Sequence, residues 1–255
     1  MIDIHAHILP GADDGALEMS DTLEMVRLAA ESGVSKMIAT PHCNIPGLFE
    51  NYFCEAYVER FRRMEQAIKE AKIPVEVYPG MEVFATEDLP QLLRDGKVMT
   101  LNQSHYLLME FSFDEDPDFA WDIVRQVRTL DVIPVIAHVE RYEFVQRDPQ
   151  IVYDWRREGN VIQINKGSVM GRFGRRARRT AYRLLDHNLV SVIASDAHGP
   201  LQRTPYMLDA FEELLLDYPE RYLKILFEEN PKRVLEDQPI VNFECIPFER
   251  GYDWE

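Results

Sequence analysis

The sequence predicts an α/β fold that is built on a mostly parallel sheet. Short β-type runs alternate with longer amphipathic stretches, which is the pattern of consecutive βαβ units. Seven such runs are present, and seven strands fit a closed or distorted barrel better than an open sheet. The chain has 255 residues and 46% hydrophobic content, so it can bury a sizeable core. Barrels of this length often form a single domain, and one domain over 1–255 is expected.

The strand predictions rest on apolar runs of four to six residues. In the first run, Ile2 and Ile4 alternate with Asp3 and His5, as expected of a strand with two different faces. The seven predicted strands cover residues 1–5, 36–40, 75–79, 106–111, 133–137, 161–165 and 191–195.

Helices are predicted between most of these strands. The first lies near 21–32, where Gly33 suits the helix end. The clearest covers 55–71, which has an apolar stripe at helical spacing. Another covers 118–130, and a late stripe marks 208–215. The last segment, 238–255, has no clear period and is predicted to wrap the barrel as a strap.

The amino-acid composition limits the kinds of function that we expect of this chain. Lys plus Arg is 28 and Asp plus Glu is 44, which gives a formal charge of −16. A nucleic-acid partner is not expected, because such binders are usually basic. The three cysteines suit a reducing compartment, and neither a secretory leader nor an apolar run long enough to span a bilayer is present. A soluble, cytoplasmic protein without membrane insertion is therefore predicted.

Histidines and carboxylates follow or end the predicted strands. The carboxyl ends of parallel barrel strands lie on one face, where barrel enzymes build their active sites. For Glu110 alone, a metal and a salt bridge to an arginine explain the buried carboxylate equally well. Taken together, the clusters favour a metal-dependent hydrolase. They are Asp3-His5-His7 with Asp13-Asp14-Gly15, Thr40-Pro41-His42, Glu82, Glu110, His138-Glu140-Arg141 and Asp196-His198.

These motifs resemble a known superfamily. The set DIHAH, DDG, TPH, GME, AHVER and SDAH is similar to the polymerase and histidinol phosphatase (PHP) superfamily. One branch is closer, the CpsB/CapC-like manganese-dependent protein tyrosine phosphatases of bacterial capsule and exopolysaccharide systems. It shares DIHAHILPGADDG, LLMEF, AHVERY and QINKGSVMGRFG, and the resemblance runs from residue 1 to about 235. Cys43 and Gly199 depart from the branch, but neither change removes a ligand.

The resemblance implies a distorted TIM-like (β/α)7 barrel with up to three metal ions. Manganese is the implied metal, although mixed nitrogen and oxygen donors also suit iron, zinc or cobalt. The implied ligands are His5, His7, Glu82 and Asp196 for one metal, Glu82, Glu110 and His138 for a second, and Asp14, His42 and His198 for the third.

Two further residues receive roles from the same comparison. Asp3 is expected behind the ligands, where it would orient a histidine. Arg141 is expected to grip phosphoryl oxygens, because a guanidinium matches a phosphate in a bidentate way. The reaction hypothesis is phosphomonoester hydrolysis, in which a hydroxide that bridges two metals attacks phosphorus.

The resemblance implies a phosphotyrosine protein as substrate, namely an autophosphorylating bacterial tyrosine kinase of polysaccharide export. Two alternatives stay open. One is a small-molecule phosphatase that acts on histidinol phosphate or a sugar phosphate. The other is a non-catalytic regulator that binds the kinase.

Two other motifs compete for a role. Cys54 and Arg60 fit the Cys-x5-Arg signature of cysteine phosphatases, but the stretch has no glycine and carries a helical stripe, so a chance match is predicted. An arginine-rich run over 172–183 is interpreted as a solvated helix face. The alternative is a docking patch for phosphorylated or acidic segments, formed by Arg175, Arg176 and Arg179.

Overall fold

In a computed structural model, which describes residues 1–248, nine strands alternate with eleven α-helices. All strand pairs are parallel. The strands are β1 (Ile2–Ala6), β2 (Lys36–Ala39), β3 (His42–Cys43), β4 (Glu76–Pro79), β5 (Glu82–Phe84), β6 (Tyr106–Glu110), β7 (Ile133–Ile136), β8 (Val161–Asn165) and β9 (Val192–Ala194).

The strands form two sheets that together make a ring. One sheet has the order β1-β2-β4, and the other has the order β3-β5-β6-β7-β8-β9. Along the chain β3 follows β2 after two residues, and β5 follows β4 in the same way, so each pair occupies one position of the ring. The ring closes between its ends, where Ala6 pairs with Ala197 and the Asp196 amide donates to the His5 carbonyl at 2.9 Å. The predicted distorted barrel is confirmed.

Each of the seven predicted strands overlaps an observed strand. The structure adds β3 and β5, which the sequence marks only as motifs that follow the second and third strands. Both are too short for alternation to reveal them, since they contain two and three residues. They extend the ring at the level where the histidines and carboxylates lie.

The helices connect the strands and cover the outside of the ring. Predicted helices 21–32, 55–71 and 118–130 correspond to α1 (Met19–Glu31), α2 (Glu55–Glu70) and α4 (Pro117–Arg128), and 208–215 corresponds to α9 (Leu208–Leu214). Pro117 begins α4, and the Asp116 carboxylate caps it by accepting from two backbone amides. The helices are α1 (Met19–Glu31), α2 (Glu55–Glu70), α3 (Leu89–Arg94), α4 (Pro117–Arg128), α5 (Glu143–Arg147), α6 (Gln150–Arg157), α7 (Lys166–Val169), α8 (Gly174–Asp186), α9 (Leu208–Leu214), α10 (Glu220–Lys224) and α11 (Asn230–Leu235).

The inside of the ring has an apolar floor and a polar upper layer. The floor includes Ile4, Leu108 and Val192 from three strands, and Val234 from α11 packs against it. Alternate residues of a strand share one face, so the positions above the floor also point inward. In β6 the next inward position after Leu108 is Glu110. The sequence pattern thus places carboxylates and histidines at one end of a closed apolar cylinder.

The segment after α11 runs across the outside of the barrel. Asn242 accepts a hydrogen bond from Arg156 of α6 at 2.9 Å. The Ile246 amide donates to the His187 carbonyl at the end of α8, also at 2.9 Å. The strap over 238–255 stays a prediction, because residues 249–255 lie outside the described residues. Within residues 1–248, no helix is long and apolar enough to cross a membrane.

Candidate metal centre

All nine predicted ligands meet at the carboxyl end of the barrel. Each lies within a strand or on the loop that follows one, so separate stretches of the chain contribute to a single cluster. Eight of them fall into three groups whose donor atoms lie within 4.8 Å of one another, and His138 contacts two of these eight. The structure therefore brings together all nine side chains that the resemblance implied as ligands.

The first group contains four buried side chains. The Nε2 atoms of His5 and His7 face each other at 3.2 Å. The Glu82 carboxylate lies 3.2 Å from each of these nitrogens, one oxygen to each ring. Asp196 Oδ1 is 3.4 Å from both nitrogens. Two imidazoles and two carboxylates thus converge on one point.

The second group surrounds the other side of Glu82. His138 Nε2 lies 2.9 Å from Glu82 Oε1 and 3.6 Å from Glu110 Oε2. His42 Nδ1 lies 2.8 Å from Glu110 Oε1 and 3.1 Å from Glu82 Oε2. The resemblance implied His138 at this place, and the structure puts His42 there as well. Glu82 belongs to both groups, as expected of a bridging carboxylate.

The third group is the most open one. His42 Nε2 lies 3.6 Å from Asp14 Oδ1, and His198 Nε2 lies 3.5 Å from the same oxygen. The rings of His7 and His198 are 3.9 Å apart. The side chain of Asp14 is 56% exposed, so this corner faces solvent, whereas the first group is sealed.

Two residues without a predicted role hold the histidines in place. Asp13 accepts from His7 Nδ1 at 2.7 Å and from the His42 amide at 2.8 Å. Gln163 Oε1 lies 3.0 Å from His5 Nδ1 and accepts from the His138 amide. Such partners fix the orientation of a ring and leave its other nitrogen for a ligand. Asp13 stood within a flagged motif, and Gln163 opens the QINKGSVMGRFG stretch, for which no role at the metal site was predicted.

The loop that carries Asp13 needs a glycine at position 15. A Cβ atom on Gly15 would lie 2.2 Å from the His7 carbonyl oxygen. The loop therefore passes directly against the backbone that follows β1, and the Gly15 amide donates to Asp13 at 3.0 Å. This close approach explains the glycine of the DDG motif.

The contacts of Asp3 differ from those expected. Its carboxylate accepts from the backbone amides of His5 at 3.3 Å and Ser195 at 3.0 Å, and the His5 ring is held by Gln163 instead. Asp3 therefore ties β1 to the end of β9 and does not orient a ring. Burial raises the pKa of Asp3 above its usual range.

Electrostatics within the cluster favour charged carboxylates. Burial would raise the pKa of Glu82, but the imidazoles of His5 and His42 outweigh burial and hold that pKa well below its usual range. Burial and His7 would lower the pKa of His42, whereas the carboxylates of Glu82 and Glu110 raise it to about 10. Without a cation, protons on imidazoles balance the acids. A metal ion would take over that role and release the protons.

Two of the predicted ligands have an uncommon backbone conformation. His138 follows β7 with φ of 35°, and Asp196 follows β9 with φ of 49°. Non-glycine residues adopt this left-handed region at an energetic cost, and such positions cluster at functional sites. The turn after each strand directs these two side chains into the cluster.

The donor set fits divalent cations. Glu82 Oε2, Glu110 Oε1 and His42 Nδ1 are buried, and although the nitrogen lies within 3.1 Å of both oxygens as an ion-pair partner, none of the three atoms makes a well-directed hydrogen bond. Buried polar atoms without such a bond are rare in folded proteins and need an explanation. Here the atoms converge and offer mixed nitrogen and oxygen donors, which suit manganese, iron, zinc or cobalt better than calcium.

A cavity of about 280 Å³ opens above the cluster. Arg141 lines it, with Nη1 3.4 Å from Asp196 Oδ2. Arg203, which the sequence did not single out, lines the same wall and places Nη2 2.6 Å from that oxygen. Phe113 forms another part of the wall. The cavity thus combines a metal-binding floor with guanidinium and aromatic groups at its side.

Comparison with known proteins decides the family. A family model described as capsular polysaccharide synthesis, CpsB/CapC, matches residues 1–236. The chain belongs to the CpsB/CapC family.

Named members of the CpsB/CapC family are similar over nearly the whole chain. Tyrosine-protein phosphatase YwqE of Bacillus subtilis is 34% identical over 98% of this chain and 97% of its own length. Tyrosine-protein phosphatase CpsB of Streptococcus pneumoniae is 31% identical over 94% of this chain and all of its own length. A solved structure of the metal-dependent tyrosine phosphatases YwqE and CpsB matches with a TM-score of 0.90 and 34% identity, covering 98% of this chain and 100% of that chain.

More distant structures share the fold alone. The phosphotriesterase from Mycobacterium tuberculosis matches with a TM-score of 0.59 at 11% identity, covering 94% of this chain and 95% of that chain. The CpsB/CapC fold is therefore a variant of a wider class of barrels.

The remaining predicted features lie away from the cluster. Cys54 directly precedes α2, and Arg60 lies within that helix, so the Cys-x5-Arg match does not form a phosphate-binding loop. Arg175, Arg176 and Arg179 are exposed on α8. Two neighbours in the same run are paired with acids of α9, namely Arg172 with Asp209 and Arg178 with Glu213.

Proposed function

We propose that the chain is a metal-dependent phosphomonoesterase that acts on phosphotyrosine in proteins. One observation carries the proposal: nine histidine and carboxylate side chains converge beneath a cavity that also holds the Arg141 guanidinium. The relatives that share the whole fold are named tyrosine-protein phosphatases, which supports this substrate class.

The metals would be held by His5, His7, Glu82 and Asp196, by Glu82, Glu110, His138 and His42, and by Asp14, His42 and His198. Bound cations supply Lewis acidity, which neutralises phosphoryl oxygens and lowers the pKa of water toward neutrality. We propose manganese as the metal, with iron, zinc and cobalt as competitors.

The chain's own groups bind and orient the ester. The Arg141 guanidinium is charged at any physiological pH and donates to phosphoryl oxygens, which carry developing charge during the reaction. The buried first group excludes water from beneath, and the open corner near Asp14 gives access to solvent. A phenol is a good leaving group because its pKa is about 10. A strong general acid that protonates the leaving oxygen is then not required.

The proposed physiological partner is a bacterial tyrosine kinase of capsule or exopolysaccharide synthesis. The family description, capsular polysaccharide synthesis, supports this partner. Such a kinase would present its phosphotyrosines in the cytoplasm, where we propose that this protein works.

The decisive experiment combines metal analysis with assays on three substrates. Purified protein is tested with a phosphotyrosine peptide, a phosphoserine peptide and histidinol phosphate, before and after chelation. Metal-dependent turnover that favours the phosphotyrosine peptide supports the proposal. Preference for histidinol phosphate would identify a small-molecule phosphatase, and full activity of metal-free protein would exclude the mechanism.

A further inference from the structure

The Arg141 guanidinium is flanked by two aromatic rings. Its Cζ atom lies 4.3 Å from the centre of the Phe113 ring and 4.2 Å from the centre of the Phe173 ring. Phe113 contacts His138 and Tyr142, and within residues 1–248 it makes no ring contact with Phe173. The rings therefore approach the guanidinium from different sides. Stacking on aromatic faces is favourable for arginine and restricts the plane of its guanidinium.

The edge of this guanidinium is directed at the metal-binding cluster. Arg141 Nη1 lies 3.4 Å from Asp196 Oδ2, and the side chain is only 17% exposed. With a ring about 4 Å from its Cζ atom on each of two different sides, the guanidinium directs an N–H edge at Asp196. That edge faces the place where the phosphoryl group would bind.

The position of Phe173 depends on Gly167. A Cβ atom on Gly167 would lie 2.6 Å from Phe173 Cε2, so the ring packs directly on the glycine backbone. Gly167 belongs to α7, and Phe173 directly precedes α8. The stretch GSVMGRF, which so far had no function, thus folds into a turn that presents one ring to Arg141.

Packing in the core does not account for the two rings. Phe113 is 44% exposed, and Phe173 is half-buried, although both lie beside a strongly polar cluster. We propose that Phe113 and Phe173 are positioning residues, which hold Arg141 in the orientation that phosphoryl transfer requires. This inference rests on the proposed function and adds residues that act through Arg141.

The kinetic test uses Phe173→Leu, with Phe173→Tyr as the conservative variant. Leucine keeps apolar volume but offers no ring face, so kcat for an aryl phosphate should fall about tenfold with a smaller change in KM. Tyrosine should restore kcat. Gly167→Ala displaces the ring and should give a milder form of the same loss. Phe119→Leu on α4 is the matched control, since Phe119 is also half-buried but lies outside the cavity.

A double-mutant comparison separates positioning from general destabilisation. In an Arg141→Gln background no cation is left for the rings to hold, so Phe173→Leu should lower kcat little further. An equal loss in both backgrounds, or normal kcat in Phe173→Leu, would overturn the proposal. If Phe173→Leu does not fold, Phe113→Leu replaces it in the same comparison.

A spectroscopic test is independent of activity. Protons above an aromatic face are shielded, so the side-chain N–H signals of Arg141 should lie upfield in metal-free wild-type protein, assigned by their absence in Arg141→Lys. Phe173→Leu should move them downfield, and unchanged signals would overturn the proposal. If wild-type protein hydrolyses no phosphomonoester, the proposed function fails while this measurement still decides whether the stack exists.

Discussion

At the scale of single residues, Glu82 has the most contacts with candidate ligands. Its two oxygens lie within 3.2 Å of nitrogens of His5, His7, His42 and His138. The Glu82 side chain is fully buried, so solvent water cannot take over its contacts with these histidines. Every neighbouring histidine is therefore oriented around this one side chain.

Substitution of Glu82 tests this arrangement. Glu82→Gln keeps the shape but removes the charge that attracts cations, so the protein should lose bound metal. Since metals supply several kcal/mol to such reactions, kcat/KM for an aryl phosphate should fall at least about 10²-fold. Metal analysis and kinetics measure both effects. Glu87→Gln is the control, because Glu87 is exposed just after the same strand, and equal metal content in both variants would contradict the bridging role.

At the scale of elements, α2 decides between two phosphatase chemistries. Cys54 is exposed at the start of this helix, and Arg60 donates to the Gly11 carbonyl instead of facing a phosphate site. Neither residue lines the cavity above the cluster.

Cys54→Ser should therefore retain the activity of the wild type within about twofold, since surface changes away from special features usually alter stability by less than about 0.5 kcal/mol. Steady-state kinetics with an aryl phosphate measure the outcome. A folded Cys54→Ser protein without activity would show that a thiolate is the nucleophile after all.

Helix α8 carries the proposed docking patch, formed by Arg175, Arg176 and Arg179. These side chains are exposed on a strongly acidic protein, and the helix begins one residue after Phe173. A phosphopeptide with acidic neighbours could therefore contact the patch while its phosphotyrosine lies in the cavity. A small aryl phosphate is too short to reach both.

Neutralising the patch should affect only the longer substrate. Replacement of all three arginines by glutamine should raise KM for an acidic phosphopeptide roughly three- to tenfold at low ionic strength, with less effect at high salt. KM for a small aryl phosphate should not change. Replacement of Arg62, Arg63 and Lys69 on α2 removes the same charge elsewhere and is the control. An equal rise for both substrates would discard the docking patch.

At the scale of the whole molecule, metal binding and stability are linked. The proposed ligands come from strands all around the barrel, and their charges balance one another only when a cation or protons are present. A ligand at 100 times its Kd stabilises the folded state by about 2.7 kcal/mol per site.

Chelation should therefore lower Tm by roughly 5–10 °C if one site is emptied, because each kcal/mol corresponds to about 2–4 °C in a protein of this size. Differential scanning calorimetry before and after treatment with a chelator measures the shift, and added manganese should reverse it. Glu82→Gln is the control, since it should melt at a low temperature that the chelator hardly changes. An unchanged Tm in the wild type would show that the cluster binds no metal.

The sequence predicts the fold and the cluster because both depend on local patterns. Apolar runs mark the strands, and each ligand such as His5 or Asp196 stands at a strand end. Arg203 and Gln163 were missed for a different reason. Gln163 contacts His5, which lies 158 residues earlier in the chain, and no local pattern records such a contact. Arg203 lies only seven residues after Asp196, but neither an apolar period nor a motif marks the loop that turns its guanidinium back to that carboxylate. Asp3 accepts from the Ser195 amide, where the ring closes between β1 and β9. The alternation of residues in the first strand cannot reveal this partner.

The closure of the ring between β1 and β9 also determines when the proposed metal centre can form. A ribosome makes His5 and His7 well before Asp196 and His198, which lie about 190 residues further along the chain. Domains generally fold as units during synthesis, and contacts between distant residues form late. The first group of donors is therefore incomplete until β9 has joined β1. A chain truncated before β9 would have His5, His7 and Glu82 but would lack Asp196, and we expect only chains that have finished folding to bind metal at this group.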